Sequence, residues 1–179
     1  MRLFLLGGIR SGKSRLAEEA AARMAVAEGR HVTYVATAWV GDDEEMAERV
    51  RRHRLRRPES WRTVETAGDP EALPRSLQEM QSEPGVVLLD CLSLWVAEAI
   101  ESPEAFGGRL ERVVASFAAM PSAVVVSLEA GLGLMPTEPL GRTFLDRLGD
   151  ANQSIAAVSD CVALSVAGQP LVLKGGPLP

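Results

Sequence analysis

The chain has 179 residues, of which 19 are Lys or Arg and 24 are Asp or Glu, so its formal net charge at pH 7 is −5. This acidic balance argues against a nucleic-acid-binding surface that covers the whole molecule. The length suits a single domain over residues 1–179, and no apolar run approaches the roughly 20 residues needed to span a bilayer.

The first element is a short apolar strand, Leu3–Leu6, that runs directly into a glycine-rich loop. Gly7, Gly12, Lys13 and Ser14 have the G-x-x-x-x-G-K-S spacing of a phosphate-binding loop. Glycines allow successive backbone N–H groups to hold phosphate oxygens, Lys adds a positive charge, and the Ser hydroxyl can bind Mg²⁺. An Ala-rich amphipathic helix follows, and this context predicts nucleotide binding rather than an ordinary strand-turn-helix corner.

Cysteine usage and the start of the chain indicate the cellular compartment in which we expect the protein. Cys91 and Cys161 lie in apolar stretches without metal-ligand spacing, which is typical of reduced core cysteines. Met1 precedes the first strand directly and leaves no room for a signal peptide. We therefore expect a cytoplasmic protein.

A second strand, His31–Ala38, is rich in β-branched and aromatic residues. Its end, Ala36–Ala38, would lie at the carboxyl edge of a parallel sheet, where α/β folds bind ligands. The stretch Asp42–Trp61 then predicts a helix with an acidic first turn and a basic end, stopped by Pro58.

That predicted helix carries an unusual density of arginine around His53. The arginines are Arg49, Arg51, Arg52, Arg54, Arg56 and Arg57. One interpretation is a solvated helix with favourable Glu-to-Arg pairs. The other is an anion site, because closely spaced arginines repel one another unless a group such as a triphosphate lies nearby.

For residues 61–84 we predict a loop-rich connection that contains one short helix at 71–81. Pro70, Pro74 and Pro84 mark this connection. The apolar run that follows ends in Asp90. This pattern is typical of a core strand that delivers a carboxylate to Mg²⁺ beside the nucleotide. The alternative is an aspartate that caps the next helix.

The last third of the chain completes an α/β pattern. Helices are predicted over 103–119 and 141–160, and a terminal hairpin over Cys161–Lys174. Between the helices, a strand ends at Glu129 beside Gly131 and Gly133, which favours a site-lining loop about as much as a plain turn. Together the elements predict a mostly parallel sheet flanked by helices.

The motifs GGIRSGKS, YVATA, RVRRHRLRRPESW, LLDCLSLW, SLEAGLGLMP and AGQPLVLK occur in this order. Together they resemble the adenosylcobinamide kinase/adenosylcobinamide-phosphate guanylyltransferase family of cobalamin biosynthesis, over essentially the whole chain. The resemblance implies a RecA-like P-loop fold and a homotrimer.

The resemblance also implies two reactions on a corrinoid, adenosylcobinamide. First, ATP or GTP phosphorylates the hydroxyl of its aminopropanol arm. Then GTP guanylylates a histidine with loss of pyrophosphate, and the GMP passes to the cobinamide phosphate. The histidine carried over is His53, and a neutral imidazole is chemically suited because it both attacks phosphorus and leaves readily. The other histidine, His31, begins a strand far from the arginines in sequence.

Carried over residue by residue, the resemblance assigns catalytic roles to His53 and Lys13 and a Mg²⁺ site to Ser14 and Asp90. The nucleotide-contacting positions it implies are Gly7, Gly8, Ile9, Arg10, Ser11, Gly12, Lys13, Ser14, Ala36, Thr37, Ala38, Arg54, Leu55, Arg56, Arg57, Glu65 and Asp90.

Three departures from the family pattern are visible. Leu128 replaces a usual Asn, the acidic motif Asp42–Met46 has one extra residue, and Arg52 stands where some relatives have a second histidine. Two other functions stay open, the first of them because of the change at Leu128. One is a small-molecule kinase that has lost guanylyl transfer, and the other is a regulatory module that uses GTP as a switch.

Overall fold

The apolar runs of the sequence form a seven-stranded sheet in the order β3-β2-β4-β5-β1-β6-β7. The strands are β1 (Arg2–Gly7), β2 (His31–Ala36), β3 (Arg62–Glu65), β4 (Gly85–Asp90), β5 (Ala123–Leu128), β6 (Cys161–Val166) and β7 (Gln169–Lys174). All neighbouring pairs are parallel except β6 and β7, which form an antiparallel hairpin. The predicted parallel sheet and terminal hairpin are confirmed.

The computed structural model describes residues 1–39, 43–82 and 85–179. Its helices are α1 (Lys13–Glu28), α2 (Glu44–Arg56), α3 (Ala72–Met80), α4 (Leu92–Ala99), α5 (Pro103–Ala119) and α6 (Pro139–Val158). Asp42, where we predicted a helix to begin, and Pro84, taken as a loop marker, lie outside the described residues.

Alternating side chains divide the core between the two faces of the sheet. On one face, α1 covers Leu3, Leu5 and Leu88 with small side chains such as Ala17 and Ala21. The opposite face forms the larger cluster, in which Trp95 and Phe106 of the helical layer pack against Phe4, Val125 and neighbouring apolar residues. Because both faces are covered, the strands are continuous apolar runs.

Strand order determines where the functional loops meet. Strand β5 lies between β1, which leads into the glycine-rich loop, and β4, which ends in Asp90. This is the RecA-like order that the resemblance implied. The carboxyl ends of β1, β2 and β4 therefore converge at one edge of the sheet, where open α/β folds bind their ligands.

One prediction for this region is wrong. We placed residues 61–65 in a loop-rich connection, but Arg62–Glu65 form the edge strand β3, paired with β2 from Thr33 to Ala36. The strand is short and mostly exposed, so it lacks the apolar run that identifies a core strand. Its pairing places Glu65 beside Ala36 at the carboxyl edge of the sheet.

In the described part of the chain, no helix combines the length and the apolar composition required to cross a lipid bilayer.

Asp160 forms hydrogen bonds and an ion pair with Arg2, the first residue of β1. Its carboxylate accepts hydrogen bonds from the Arg2 backbone N–H and guanidinium at 2.7 Å, which lower its pKa to about 2. A lowered pKa means that the carboxylate stabilises the fold above the ordinary carboxyl pKa near 4, and that this contribution disappears as the pH falls toward 2.

We expect Asp160→Asn to lower the free energy of unfolding at pH 7 by about 1 kcal/mol or less, because solvent screens this partly exposed pair. Urea denaturation at pH 7 and pH 3 measures the effect, and the difference from wild type should shrink at pH 3. Asp146→Asn, which removes another exposed carboxylate, is the control. A destabilisation that is equal at both pH values would contradict an electrostatic role.

Candidate active site

The glycine-rich loop after β1 has the geometry of a phosphate cradle. Gly12 adopts a left-handed conformation, with φ of 92°, immediately before α1 begins at Lys13. Lys13 is buried to 7% exposure, and its Nζ donates to the Gly8 carbonyl at 3.0 Å. The buried Ser11 hydroxyl has no hydrogen-bond partner within the described residues. A buried orphan hydroxyl at a helix N-terminus fits an anion such as phosphate.

The C-terminal hairpin supports this loop from the side. The Ser165 hydroxyl and the Gly168 N–H both donate to the Ser11 carbonyl at 2.8 Å. The contact is close enough that a Cβ on Gly12 would lie 3.0 Å from Gly168 Cα. A side chain at position 12 would therefore push the hairpin away from the loop.

The Asp90 carboxylate lies at the centre of the site, at the end of β4. One oxygen accepts from Ser14 Oγ at 3.3 Å, and the other accepts from the Tyr34 hydroxyl at 2.7 Å and lies 3.4 Å from His53 Nδ1. Burial alone would raise its pKa, but hydrogen bonds from His53, Tyr34 and Ser14 outweigh it and lower the pKa. Asp90 is therefore ionised at neutral pH.

The alternative that Asp90 caps the following helix is wrong. Helix α4 begins at Leu92 and its N-cap residue is Cys91. The carboxylate of Asp90 instead faces α1 and α2, as its contacts with Ser14 and His53 show.

His53 lies in the last turn of α2 and reaches the same edge of the sheet as the phosphate loop. Its side chain is 22% exposed, and that of Asp90 is 8% exposed. An ionised carboxylate can only accept and a guanidinium can only donate, and His53 Nδ1 lies 3.4 Å from both the Asp90 carboxylate and the Arg56 guanidinium. A hydrogen bond to Asp90 requires the proton on Nδ1, whereas one from Arg56 requires Nδ1 without it. With the proton on Nδ1, the Nε2 atom carries the free lone pair.

Glu18, one turn after Ser14 on α1, joins this group. Ligand atoms of Glu18, His53 and Asp90 all lie within 4.8 Å of one another. Burial raises the pKa of the Glu18 carboxyl, opposed by the Arg56 guanidinium at 3.1 Å. Oxygen atoms from Ser14, Asp90 and Glu18 are the donor type that Mg²⁺ prefers, so these residues fit a magnesium ion.

The arginines around His53 divide into two sets. Arg51 and Arg52 pair with Glu48 within α2, as the solvated-helix interpretation expects. Three more, among the arginines whose side chains the structure describes, contact groups outside the helix. These are Arg54 with Glu65, Arg56 with Glu18, and Arg57, whose Cζ lies 3.7 Å from the centroid of the Tyr34 ring.

Two clefts meet at His53. The larger, about 400 Å³, lies between the phosphate loop and α2, and is lined by residues 9–15 together with Glu45, Arg52, His53 and Arg56. The smaller, about 50 Å³, lies on the other side of the imidazole. Its lining includes Ala36, Ala38, Arg54, Arg57 and Glu65. The structure thus brings most of the expected positions together around His53.

Two predicted contact positions have other surroundings. The Thr37 hydroxyl is buried and bonds the Cys91 backbone, donating to its carbonyl at 2.7 Å and accepting from its N–H at 2.9 Å. Leu55 is 73% exposed and lines neither cleft. Glu129 has features of both alternatives that we considered: its carboxylate accepts from the Gly131 N–H at 2.9 Å, as in a turn, and it also lines a groove along α6.

Sequence reasoning missed Tyr34 and Glu18. Tyr34 appeared only as a strand residue, although it lies two positions before the strand end at Ala36 and could have been expected near the carboxyl edge. Burial and the neighbouring Asp90 carboxylate raise the pKa of Tyr34, so its hydroxyl stays protonated and donates a hydrogen bond to Asp90. Glu18 could have been found from its spacing, because a residue four after Ser14 lies on the same helix face.

Comparisons with known proteins show which family this sequence resembles. Residues 3–173 match the family model described as cobinamide kinase / cobinamide phosphate guanyltransferase. A Pseudomonas aeruginosa protein, named bifunctional adenosylcobalamin biosynthesis protein CobP, is 41% identical over 99% of this chain and its own full length. Proteins named bifunctional adenosylcobalamin biosynthesis protein CobU, from Escherichia coli and Salmonella typhimurium, are 33% and 32% identical over 97% of this chain and their own full lengths.

Proposed function

We propose how this chain, which belongs to the cobinamide kinase / cobinamide phosphate guanyltransferase family, carries out its reactions. It is a bifunctional enzyme of cobalamin biosynthesis that acts as a cobinamide kinase and as a cobinamide phosphate guanylyltransferase. The residues that perform the two reactions are our proposal, and their arrangement around Asp90 and the phosphate loop supports it.

In guanylyl transfer, His53 is the nucleophile. Its Nε2 lone pair attacks the α-phosphorus of GTP, the bond to the bridging oxygen breaks, and pyrophosphate leaves. The single observation that carries this assignment is the contact of His53 Nδ1 with the Asp90 carboxylate, 3.4 Å away, at the wall of the phosphate-loop cleft. Asp90 holds the imidazole in the tautomer that exposes Nε2, as carboxylates do for catalytic histidines elsewhere.

In phosphoryl transfer, the phosphate loop and Lys13 hold the triphosphate of ATP or GTP. The hydroxyl of adenosylcobinamide attacks the γ-phosphorus, and the nucleoside diphosphate leaves. Ser14 and Asp90 would hold Mg²⁺, which neutralises charge on the phosphates when bound. Arg56 lines the same cleft and can exchange its ion pair with Glu18 for a phosphate oxygen.

Nucleotide contacts are proposed on both sides of His53. The loop residues 7–14 bind phosphates, while Ala36–Ala38, Arg54, Arg57 and Glu65 contribute from the smaller cleft and its margin. Arg57 has a buried Nε without a hydrogen-bond partner among the described residues, so a ligand oxygen would satisfy it.

Three further statements rest on the sequence: the first on the chain length, the second on the family resemblance, and the third on cysteine usage. We propose that residues 1–179 act as one domain, that the enzyme assembles as a homotrimer, and that it works in the cytoplasm.

Labelling with GTP tests the proposed function. Incubation with GTP labelled at the α-phosphate should leave an acid-labile, alkali-stable label on the protein, as a phosphoramidate bond does, and adenosylcobinamide with ATP should give a phosphorylated product. A protein that phosphorylates but never acquires the label would be a single-activity kinase. A protein that binds GTP and does neither would be a regulatory module.

A further inference from the structure

The loop after β5 exposes an unusual set of large apolar side chains. Leu132 is 83% exposed, Leu134 is 98% exposed and Met135 is 67% exposed. Leu140, in the first turn of α6, is 68% exposed. Contiguous exposed apolar side chains on a surface loop mark a binding surface more often than isolated ones do.

This loop starts directly beside the phosphate loop. Leu128, the last residue of β5, pairs with Gly7, the last residue of β1. The next residue, Glu129, donates its backbone N–H to the Gly7 carbonyl at 3.1 Å. A molecule bound on residues 130–135 would therefore lie next to the phosphates of a nucleotide held by the phosphate loop.

An open groove of about 430 Å³ continues from the loop along α6. Its walls are mostly apolar and include Ala130, Leu145, Leu148 and Leu173. Asn152 adds a polar group. Its Nδ2 donates to the Leu128 carbonyl at 3.1 Å, whereas its Oδ1 is buried without a hydrogen-bond partner among the described residues. Such an oxygen can accept from an N–H donor on a ligand.

We propose that the exposed loop 130–135 and this groove, together the loop–groove surface, bind the corrin ring of the substrate. This inference rests on the proposed function. A corrin ring presents a broad apolar edge that carries methyl groups and primary amides, which matches an apolar surface with an amide acceptor. Its hydroxyl-bearing arm must reach the phosphate loop, and the loop–groove surface follows directly on Glu129, whose backbone N–H bonds the Gly7 carbonyl at the start of that loop.

Introducing a charged side chain on the loop tests the assignment. Leu134→Asp should raise the KM for cobinamide in the kinase reaction about tenfold or more, because a charged carboxylate would replace an apolar contact with the corrin ring. The KM for ATP should stay unchanged. Guanylylation of the protein by GTP, which needs no corrinoid, should also proceed at the wild-type rate.

The matched control is Val26→Asp, which places the same charge at an 83% exposed apolar position near the far end of α1. This variant should keep the wild-type KM for cobinamide. Leu132→Ser is a milder second change on the loop and should raise that KM in the same direction. Direct titration of each protein with cobinamide, followed by tryptophan fluorescence, gives the affinity independently of turnover.

Three results would overturn the proposal. One is an unchanged KM for cobinamide in both loop variants. Another is a fall in guanylylation, which would show that the loop serves the nucleotide. The third is a smaller assembly by light scattering, which would make the surface a contact between copies of the chain. Failure of the proposed function is distinguishable, because the wild-type protein itself would then lack the reactions.

Discussion

Lys13→Ala is expected to reduce both phosphoryl transfer and guanylyl transfer about 10²- to 10³-fold, which is the typical cost of removing one preorganised contact to a reacting group. Lys13 is buried at the start of α1, and its ammonium group points back to the Gly8 carbonyl across the loop. Both reactions involve a triphosphate, so both need the charge that this residue supplies. Product formation from ATP and labelling by GTP are measured on the same preparation.

Arg23→Ala is the matched control for Lys13→Ala, because it removes a cation from an exposed position of the same helix. It should leave both rates unchanged. If the Lys13 variant lost phosphorylation and kept wild-type guanylylation, the two reactions would use different triphosphate sites, and a shared phosphate loop would be ruled out.

His53→Ala is expected to separate the two activities. Guanylylation should fall below detection, because the variant lacks the nucleophile for the covalent step. Phosphorylation of adenosylcobinamide should stay close to the wild-type rate, since that reaction requires the phosphate loop and Asp90 rather than the imidazole. The two assays proposed for the wild-type enzyme measure both rates.

His31→Ala provides the control for this experiment, because His31 begins β2 at the opposite edge of the sheet and is exposed. It should retain both activities and the label. His53→Asn adds a second test, since an amide can still donate to Asp90 but cannot form the guanylyl intermediate. An equal loss of both activities in the Ala and Asn variants would show that His53 has a structural or shared role.

Much of the fold was predictable because its signals are local. The strand Leu3–Leu6, the glycine-rich loop and the Ala-rich helix follow one another with the right periodicities, and the structure has β1 and α1 there. The core strand that ends in Asp90 was predictable for the same reason, because its apolar run is a local signal. Strand β3 was missed because an edge strand of four mostly exposed residues has no apolar alternation to detect.

The candidate site was only partly predictable, because its contacts join distant segments. The spacing of Lys13 and Ser14 is a local signal, whereas the contacts of Asp90 with Tyr34 and His53 depend on which strands lie side by side. Likewise, the sequence shows a dense run of arginines, but only the folded chain separates those paired within α2 from those that reach Glu18, Glu65 and Tyr34.

The support that the C-terminal hairpin gives to the phosphate loop has a consequence for how the enzyme matures. Ser11 and Ser165 are 154 residues apart, yet the hydrogen bond between them is part of the cradle. Contacts of such long sequence separation form late, because much of the chain must be ordered first. During synthesis, the glycine-rich loop is therefore made long before the hairpin, and a nascent chain acquires its nucleotide site only once the hairpin has emerged.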